Sequence, residues 1–239
     1  KNMAAGNGIS ASDSTAYLSY AISISTLIVA VLGPVLGTVA DGKNRKKPLF
    51  ALFMMTGVIG CAALALPKSA ILFLAVFVIT KVGFSGSLIF YDSMLVDVTT
   101  DERMDDVSSQ GYAWGYIGSC VPFIASLALI FGADHIGISG TAATAGAFII
   151  NALWWAVVTI PLLKNYKQNY YVKAKTNGVK ETIKRLETVC GEIRNDKKVF
   201  LFLVAFFFYI DGVYTIIEMA TSYGKDVGIS DTSLLLALL

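Results

Sequence analysis

Apolar residues along this chain come in six blocks, at about 17–40, 48–66, 70–96, 111–131, 143–163 and 199–220, and a seventh begins near residue 231. Each is long enough to cross a bilayer as a helix, which takes roughly 20 apolar residues. No block alternates apolar and polar positions, as a lipid-facing barrel strand must. The pattern predicts an all-α membrane protein with six complete transmembrane helices and the start of another. Short polar connections separate the blocks, except at 164–198, which is long and Lys-rich. Within it Val179, Ile183, Leu186, Val189 and Ile193 recur at helical spacing. Two readings stay open there: an amphipathic helix lying on the inner membrane face, or a solvated linker helix. Gly178 and Gly191 predict that this helix is short.

Charge adds an orientation. If the 41–48 turn is cytoplasmic, then by parity 97–110 and 164–198 are cytoplasmic too, and 67–69, 132–142 and 221–231 lie outside. The inside set holds Lys43, Arg45, Lys46, Lys47, Arg103 and ten cations between Lys164 and Lys198, against Lys1, Lys68 and Lys225 outside. That 15 to 3 bias satisfies the positive-inside rule in every loop. Lys43, Lys46 and Lys47 are expected to do no more than set this topology.

Composition agrees with the blocks. The chain is 55% hydrophobic and only 15% charged, where a soluble domain is nearer a quarter charged. A net charge of +2 gives no reason to expect nucleic acid as a partner; the expected partners are lipid and a small solute. Cys61, Cys120 and Cys190 have neither metal-ligand spacing nor the pattern of a disulfide framework. No metal or cofactor is expected, and His135, alone in a Gly-containing loop, is given no role. No Gly-x-x-x-x-Gly-Lys-Ser/Thr loop occurs, so ATP drive by this chain is not expected. Residues 1–15 lack the charged-then-apolar order of a signal peptide, and the apolar run 233–239 stops short of a span. Both features lead us to expect an internal piece of a longer protein, with the remaining helices as its partner.

Ionisable residues within the blocks carry the candidate chemistry. Lys81 lies 11 residues into the third block, about 16 Å at 1.5 Å per residue, close to the bilayer midplane. Asp211 lies 12 residues into the sixth, at about 18 Å by the same rise. A charge at such depth costs on the order of 3 kcal/mol, so it normally faces a bundle interior or a wet cavity. Two opposite charges at one depth predict a pair across a cavity. The plainer reading has Lys81 snorkelling and Asp211 capping a break at Gly212. Tyr214 and Glu218 share the face of Asp211, and Glu218 reads equally as an interfacial acid. Asn151 in the fifth block is a substrate-site candidate, with interhelical hydrogen bonding as its expected role. Gly111, Gly115 and Gly118 form a stripe for close helix packing, and Gly83 and Gly86 form a weaker one. Gly33, Pro34 and Gly37 are expected to loosen the first helix.

The 37–47 turn reads Gly-Thr-Val-Ala-Asp-Gly-Lys-Asn-Arg-Lys-Lys. The pattern Gly-x-x-x-Asp-x-x-x-Arg-Lys resembles the loop between the second and third helices of the major facilitator superfamily. Asn44 stands where that pattern usually has Gly, and Asn is the best substitute for Gly in a left-handed conformation. Arg45 needs an acid: Asp97 is the first candidate and Asp92 the second. Together with Gly37 and Asp41 these residues would form a gate, with Asp41 and Arg45 as its latch. Three further stretches, Ile89-Phe90-Tyr91-Asp92, the run from Val107 to Gly118, and the run from Tyr209 to Ile216, are similar to the superfamily's vacuole effluxer-like branch, known through autophagy and with many bacterial members.

That resemblance implies a transporter of two six-helix bundles, with the blocks as helices two to seven and the start of helix eight. Residues 1–163 would be the N-terminal bundle lacking its first helix, 164–198 a cytoplasmic linker, and 199–239 the start of the C-terminal bundle. It places Lys81 and Asp211 on helices that line the central cavity. Lys81 departs from the uncharged polar residue expected there. Eukaryotic members are associated with amino acid efflux from the vacuole. The function expected is a secondary transporter moving a small polar solute by alternating access, in a bacterial inner membrane. A non-transporting scaffold or receptor is the alternative. An intramembrane enzyme would need paired acids, a Ser–His pair or metal ligands; the single His lies in an outer loop, and Asp211 and Glu218 are about two turns apart.

Overall fold

The computed structural model describes residues 8, 10–67, 69–172 and 179–237. The chain forms helices α1 (Ala11–Ala40), α2 (Lys46–Ala63), α3 (Ala70–Ser93), α4 (Leu95–Val98), α5 (Met104–Phe131), α6 (Gly140–Asn165), α7 (Val179–Asn195), α8 (Lys197–Asp226) and α9 (Asp231–Ala237), with one 3-10 turn at Asp101–Arg103. Among the described residues, six helices are long and apolar enough to cross a membrane: α1, α2, α3, α5 with its preceding 3-10 turn, α6 and α8. These are the six blocks read from the sequence. Lys1, Lys68 and Gly178, used above for orientation and for the linker helix, lie outside the described residues.

Several helices run past the apolar blocks that seeded them. α5 starts at Met104 rather than near 111, because Asp105, Asp106, Ser108, Ser109 and Gln110 extend the helix beyond its apolar part. Apolar length sets what lipid covers, whereas polar helix formers carry a helix beyond it. Side-chain caps mark three starts. Ser10 accepts from Asp13 N, Ser139 accepts from Ala142 N, and Asp196 accepts from Lys198 N and Val199 N. The third block was expected to run to 96, but α3 ends at Ser93 and α4 follows as a separate short helix. α1 stays continuous through Pro34.

The chain divides into two compact units, Lys1–Lys175 and Thr176–Leu239. Residues 166–172 fold back onto unit 1. In unit 1, α3 packs between α1 and α2, α2 also packs on α6, and α6 packs on α5. The α2–α3 seam is the tightest. A methyl group at Gly83 would sit 2.5 Å from the amide nitrogen of Gly57 and 2.9 Å from the carbonyl oxygen of Phe53. Gly57 similarly admits Trp155, Gly60 admits Thr80, and Gly86 admits the ring of Phe53. The stripe expected to pack best, Gly111, Gly115 and Gly118, has no described atom beyond its own helix within 4 Å of an added Cβ. Small residues permit close approach, but they do so only where a partner helix is present.

The core of unit 1 gathers Ala40, Phe50, Met54, Phe90, Met94 and Tyr166, with Phe53 and Trp155 packed around it. It lies at the end of the unit where α1 meets α2 and where α3 ends. Unit 2 contains α7, α8 and α9. α7 packs on α8, and α9 closes on α8 where Leu234 lies against Gly224. α7 spans 17 residues and continues through Gly191.

Candidate functional site

The turn after α1 is built by one residue of unusual conformation. Asn44 has φ of 59°, the sole positive φ outside glycine among the described residues, as its short amide side chain predicts. It reverses the chain so that α2 starts directly at Lys46. This first residue of α2 is 4% exposed. Its Nζ donates to Asp97 Oδ2 at 2.9 Å and to Ser93 O at 3.0 Å.

Asp97, on α4, has a side chain with no exposed surface. A buried carboxylate is costly unless its lone pairs are satisfied, and here they are. Tyr166 OH donates to Oδ2 at 2.6 Å, and the amides of Asn169 and Tyr170 each donate to Oδ1 at 2.8 Å. Asn169 Nδ2 also donates to the Asp97 carbonyl at 2.8 Å. Burial pushes the Asp97 carboxyl up. The bonds from Tyr166, Tyr170, Lys46 and Asn169 outweigh it and hold the group below the usual carboxylate range. Burial, together with the adjacent Asp97 carboxylate, raises the Tyr166 hydroxyl well above its ordinary value. At neutral pH Asp97 is thus charged and Tyr166 protonated.

Gln168 completes the arrangement. Its Nε2 donates to Ala40 O at 3.1 Å, at the end of α1. Its Oε1 accepts from Arg45 N at 3.0 Å and Lys46 N at 3.4 Å, at the start of α2. One amide thereby satisfies carbonyl and N–H groups that helix ends leave without intrahelical partners. Val172 N donates to Asp41 O at 2.8 Å, and Val172 pairs with Gly42 as an isolated parallel bridge. Lys47 Nζ donates to Tyr166 O at 3.4 Å, and Lys43 stands 5.4 Å from the Tyr171 ring centroid. The three connections that the charge count placed on one side thus meet one another in unit 1.

The expected acid for Arg45 must be corrected. Asp97 is taken by Lys46, because Lys46 is already on the helix facing α3 and α4, whereas Arg45 precedes the helix. The Arg45 side chain lies against Gly42 instead, with its Cδ 3.0 Å from an added Cβ there. Asp92, the second candidate, sits on the last turn of α3 and is exposed, outside the cluster. Lys46 is buried and paired with Asp97, and Lys47 contacts the 166–172 segment, contacts that the topological reading did not expect. Asp41 has an exposed side chain, and its amide closes the last turn of α1 by donating to Gly37 O at 3.1 Å.

The membrane-embedded candidates lie elsewhere. Lys81 is half-buried midway along α3, and Asp211 is exposed midway along α8. Tyr214 is exposed and Glu218 half-buried on α8. Lys81 and Glu218 each have an interaction partner. Asn151 on α6 donates to Ser126 Oγ of α5 at 3.1 Å and to Ala147 O at 2.8 Å, the interhelical bond expected of it.

Sequence reasoning missed Tyr166, Gln168 and Asn169. Their signal was the run Tyr-Lys-Gln-Asn-Tyr-Tyr directly after an apolar block. Aromatics mark the interface, and amides there are suited to capping.

The family model described as "Vacuole effluxer Atg22 like" matches residues 6–239. The chain is 48% identical over 242 residues to a protein of Bacillus subtilis (strain 168) named "Uncharacterized MFS-type transporter YxiO". The match covers 100% of this chain and 56% of that relative, so the chain spans about half the relative's length. No solved structure matches the chain.

Proposed function

Because the chain belongs to the vacuole effluxer Atg22-like family, we propose that the full-length protein is a secondary transporter that carries a small polar solute, an amino acid or a related metabolite, by alternating access and with proton coupling. One observation carries the reading: two of the spanning helices each hold an ionisable residue midway, Lys81 in α3 and Asp211 in α8. Such residues are expensive in lipid and typically mark substrate or ion pathways. In this account Lys81 attracts the solute carboxylate. Asp211 takes up the coupling proton, since a carboxyl group crosses a dry interval far more cheaply when neutral. Tyr214 and Glu218 extend the Asp211 face, and Asn151 holds α5 and α6 together through its bond to Ser126.

Asp41 and Arg45 act as a latch at the cytoplasmic side, with Gly37 at the base of the turn and Asp92 as a further acid. Asp97 supports the latch through Lys46. The bilayer is a bacterial inner membrane, with 41–48, 97–110 and 164–198 cytoplasmic. In proteoliposomes holding the full-length protein, Asp211→Asn abolishes uptake of radiolabelled amino acids driven by a pH gradient. Undiminished gradient-driven uptake by that variant would remove Asp211 from the mechanism.

A further inference from the structure

We infer that residues 166–172 form a docked strap that fixes the geometry of the 41–45 turn, so that the turn and the beginning of the connection to unit 2 move as one body. The inference rests on the transporter reading only for what that motion serves. Three of the four donors on the Asp97 carboxylate come from the strap, namely Tyr166 OH and the amides of Asn169 and Tyr170. The fourth is Lys46, at the start of α2. Asp97 is therefore the post to which strap and turn are both tied. Gln168 and Val172 tie them a second time, directly, through Ala40 O, Arg45 N, Lys46 N and Asp41 O.

The chemistry of each contact suits this task. A side-chain amide donates from its nitrogen and accepts at its oxygen, on separate atoms, so one residue caps two helix ends. Successive backbone amides aimed at one carboxylate oxygen form a compact anion cradle. Tyr166 is 5% exposed and belongs to the apolar core, so the strap is also anchored by burial. Lys46 N, as the first amide of α2, has no intrahelical acceptor. A structure that left the strap free would leave that amide and most of the buried Asp97 carboxylate unsatisfied. With the strap docked, unit 1 satisfies these groups from its own residues and leaves the Asp41 side chain exposed. Gln168 and Tyr166 are thus positioning residues: they act through the turn and through Asp97.

The consequence is mechanical. The chain leaves α6 at Asn165 but stays tied to unit 1 as far as Val172. A pull on the connection reaches the 41–45 turn first, and the end of α6 only if the strap yields.

Hydrogen exchange followed by mass spectrometry on the full-length protein in lipid nanodiscs tests this without any substrate. Failure of the transport reading would leave this result unchanged. In the wild type, amides at 169–172 and at 45–46 are protected together. Gln168→Leu speeds exchange in both segments by about tenfold, the loss of one hydrogen-bonded tie, and leaves the α2–α3 seam at 54–60 unchanged. A disulfide between Gly42→Cys and Val172→Cys, in a background freed of Cys61, Cys120 and Cys190, restores protection to Gln168→Leu in both segments. Tyr166→Phe gives the same paired acceleration and replaces Gln168→Leu should that variant not fold. Wild-type amides at 169–172 exchanging at unprotected rates would overturn the strap. So would acceleration of one segment without the other, or a disulfide that forms without restoring protection.

Discussion

Two glycine-lined helix faces in unit 1 have met different fates. Gly83 and Gly86 of α3 lie against Gly57 and Phe53 of α2 so closely that a methyl at Gly83 would enter the backbone of its neighbour. Gly111, Gly115 and Gly118 of α5 have regular spacing too, yet nothing described lies against them. The occupied face meets a second glycine, Gly57, at the same level on its partner, so two backbones can touch. Helix α2 is also brought alongside α3 by short connections and by the Lys46–Asp97 bond. A small-residue stripe records the capacity for contact; the turn chemistry at the helix ends decides which contact is made inside this unit.

The largest effect that would break this comparison is expected at the helix-end cluster. Asp97→Ala leaves Lys46 buried without its carboxylate, and a buried pair cut on one side costs about 3–5 kcal/mol. Thermal unfolding of the purified full-length protein is expected to show it as a large drop in midpoint. The cluster also has a sign in pH. The folded Asp97 carboxyl is held below its ordinary range, so between the folded and unfolded pKa values the unfolded chain binds more protons. The stabilisation is fully present above the unfolded value of about 3.9 and is lost as pH falls through the folded value. Asp97→Asn is expected to flatten that acid limb. A wild-type limb that Asp97→Asn leaves unaltered would show that the cluster does not set acid stability.

A smaller effect is expected at the occupied seam. Gly83→Ala forces two backbones apart, at about 1–3 kcal/mol for overpacking. The smallest is expected on the open face. Gly115→Ala meets no described atom, and the gain in helix propensity, about 1 kcal/mol at most, makes it neutral or mildly stabilising in unit 1. A loss of stability at Gly115 equal to that at Gly83 would mean that the α5 face is packed as tightly as the seam, and the contrast would fail.

The spanning helices were legible because lipid imposes a long apolar run that few other structures share. Asn44 was legible because the superfamily pattern has Gly at its position, and Asn is the side chain that best replaces Gly in a left-handed conformation. The partner of Asp97 was not. Lys46 and Arg45 are adjacent cations, and only the exact start of α2 decides which of them points at α4. The strap was hidden for a related reason. Its bonds join residues more than a hundred positions apart, Gln168 to Ala40 and to Arg45. A polar segment rich in Lys reads as solvated until its amides are seen to meet a carboxylate. The occupied glycine seam was underrated because spacing on one helix was weighed without the glycines of its partner, Gly57 and Gly60.

Solute counterflow tests the transport claim most directly. Liposomes containing the full-length protein are loaded with unlabelled amino acids and diluted into trace labelled amino acids with no pH gradient. A carrier working by alternating access accumulates label transiently above its equilibrium level and then releases it. Label that never exceeds equilibrium, or that enters at the rate of protein-free liposomes, would contradict alternating-access transport of amino acids by this protein.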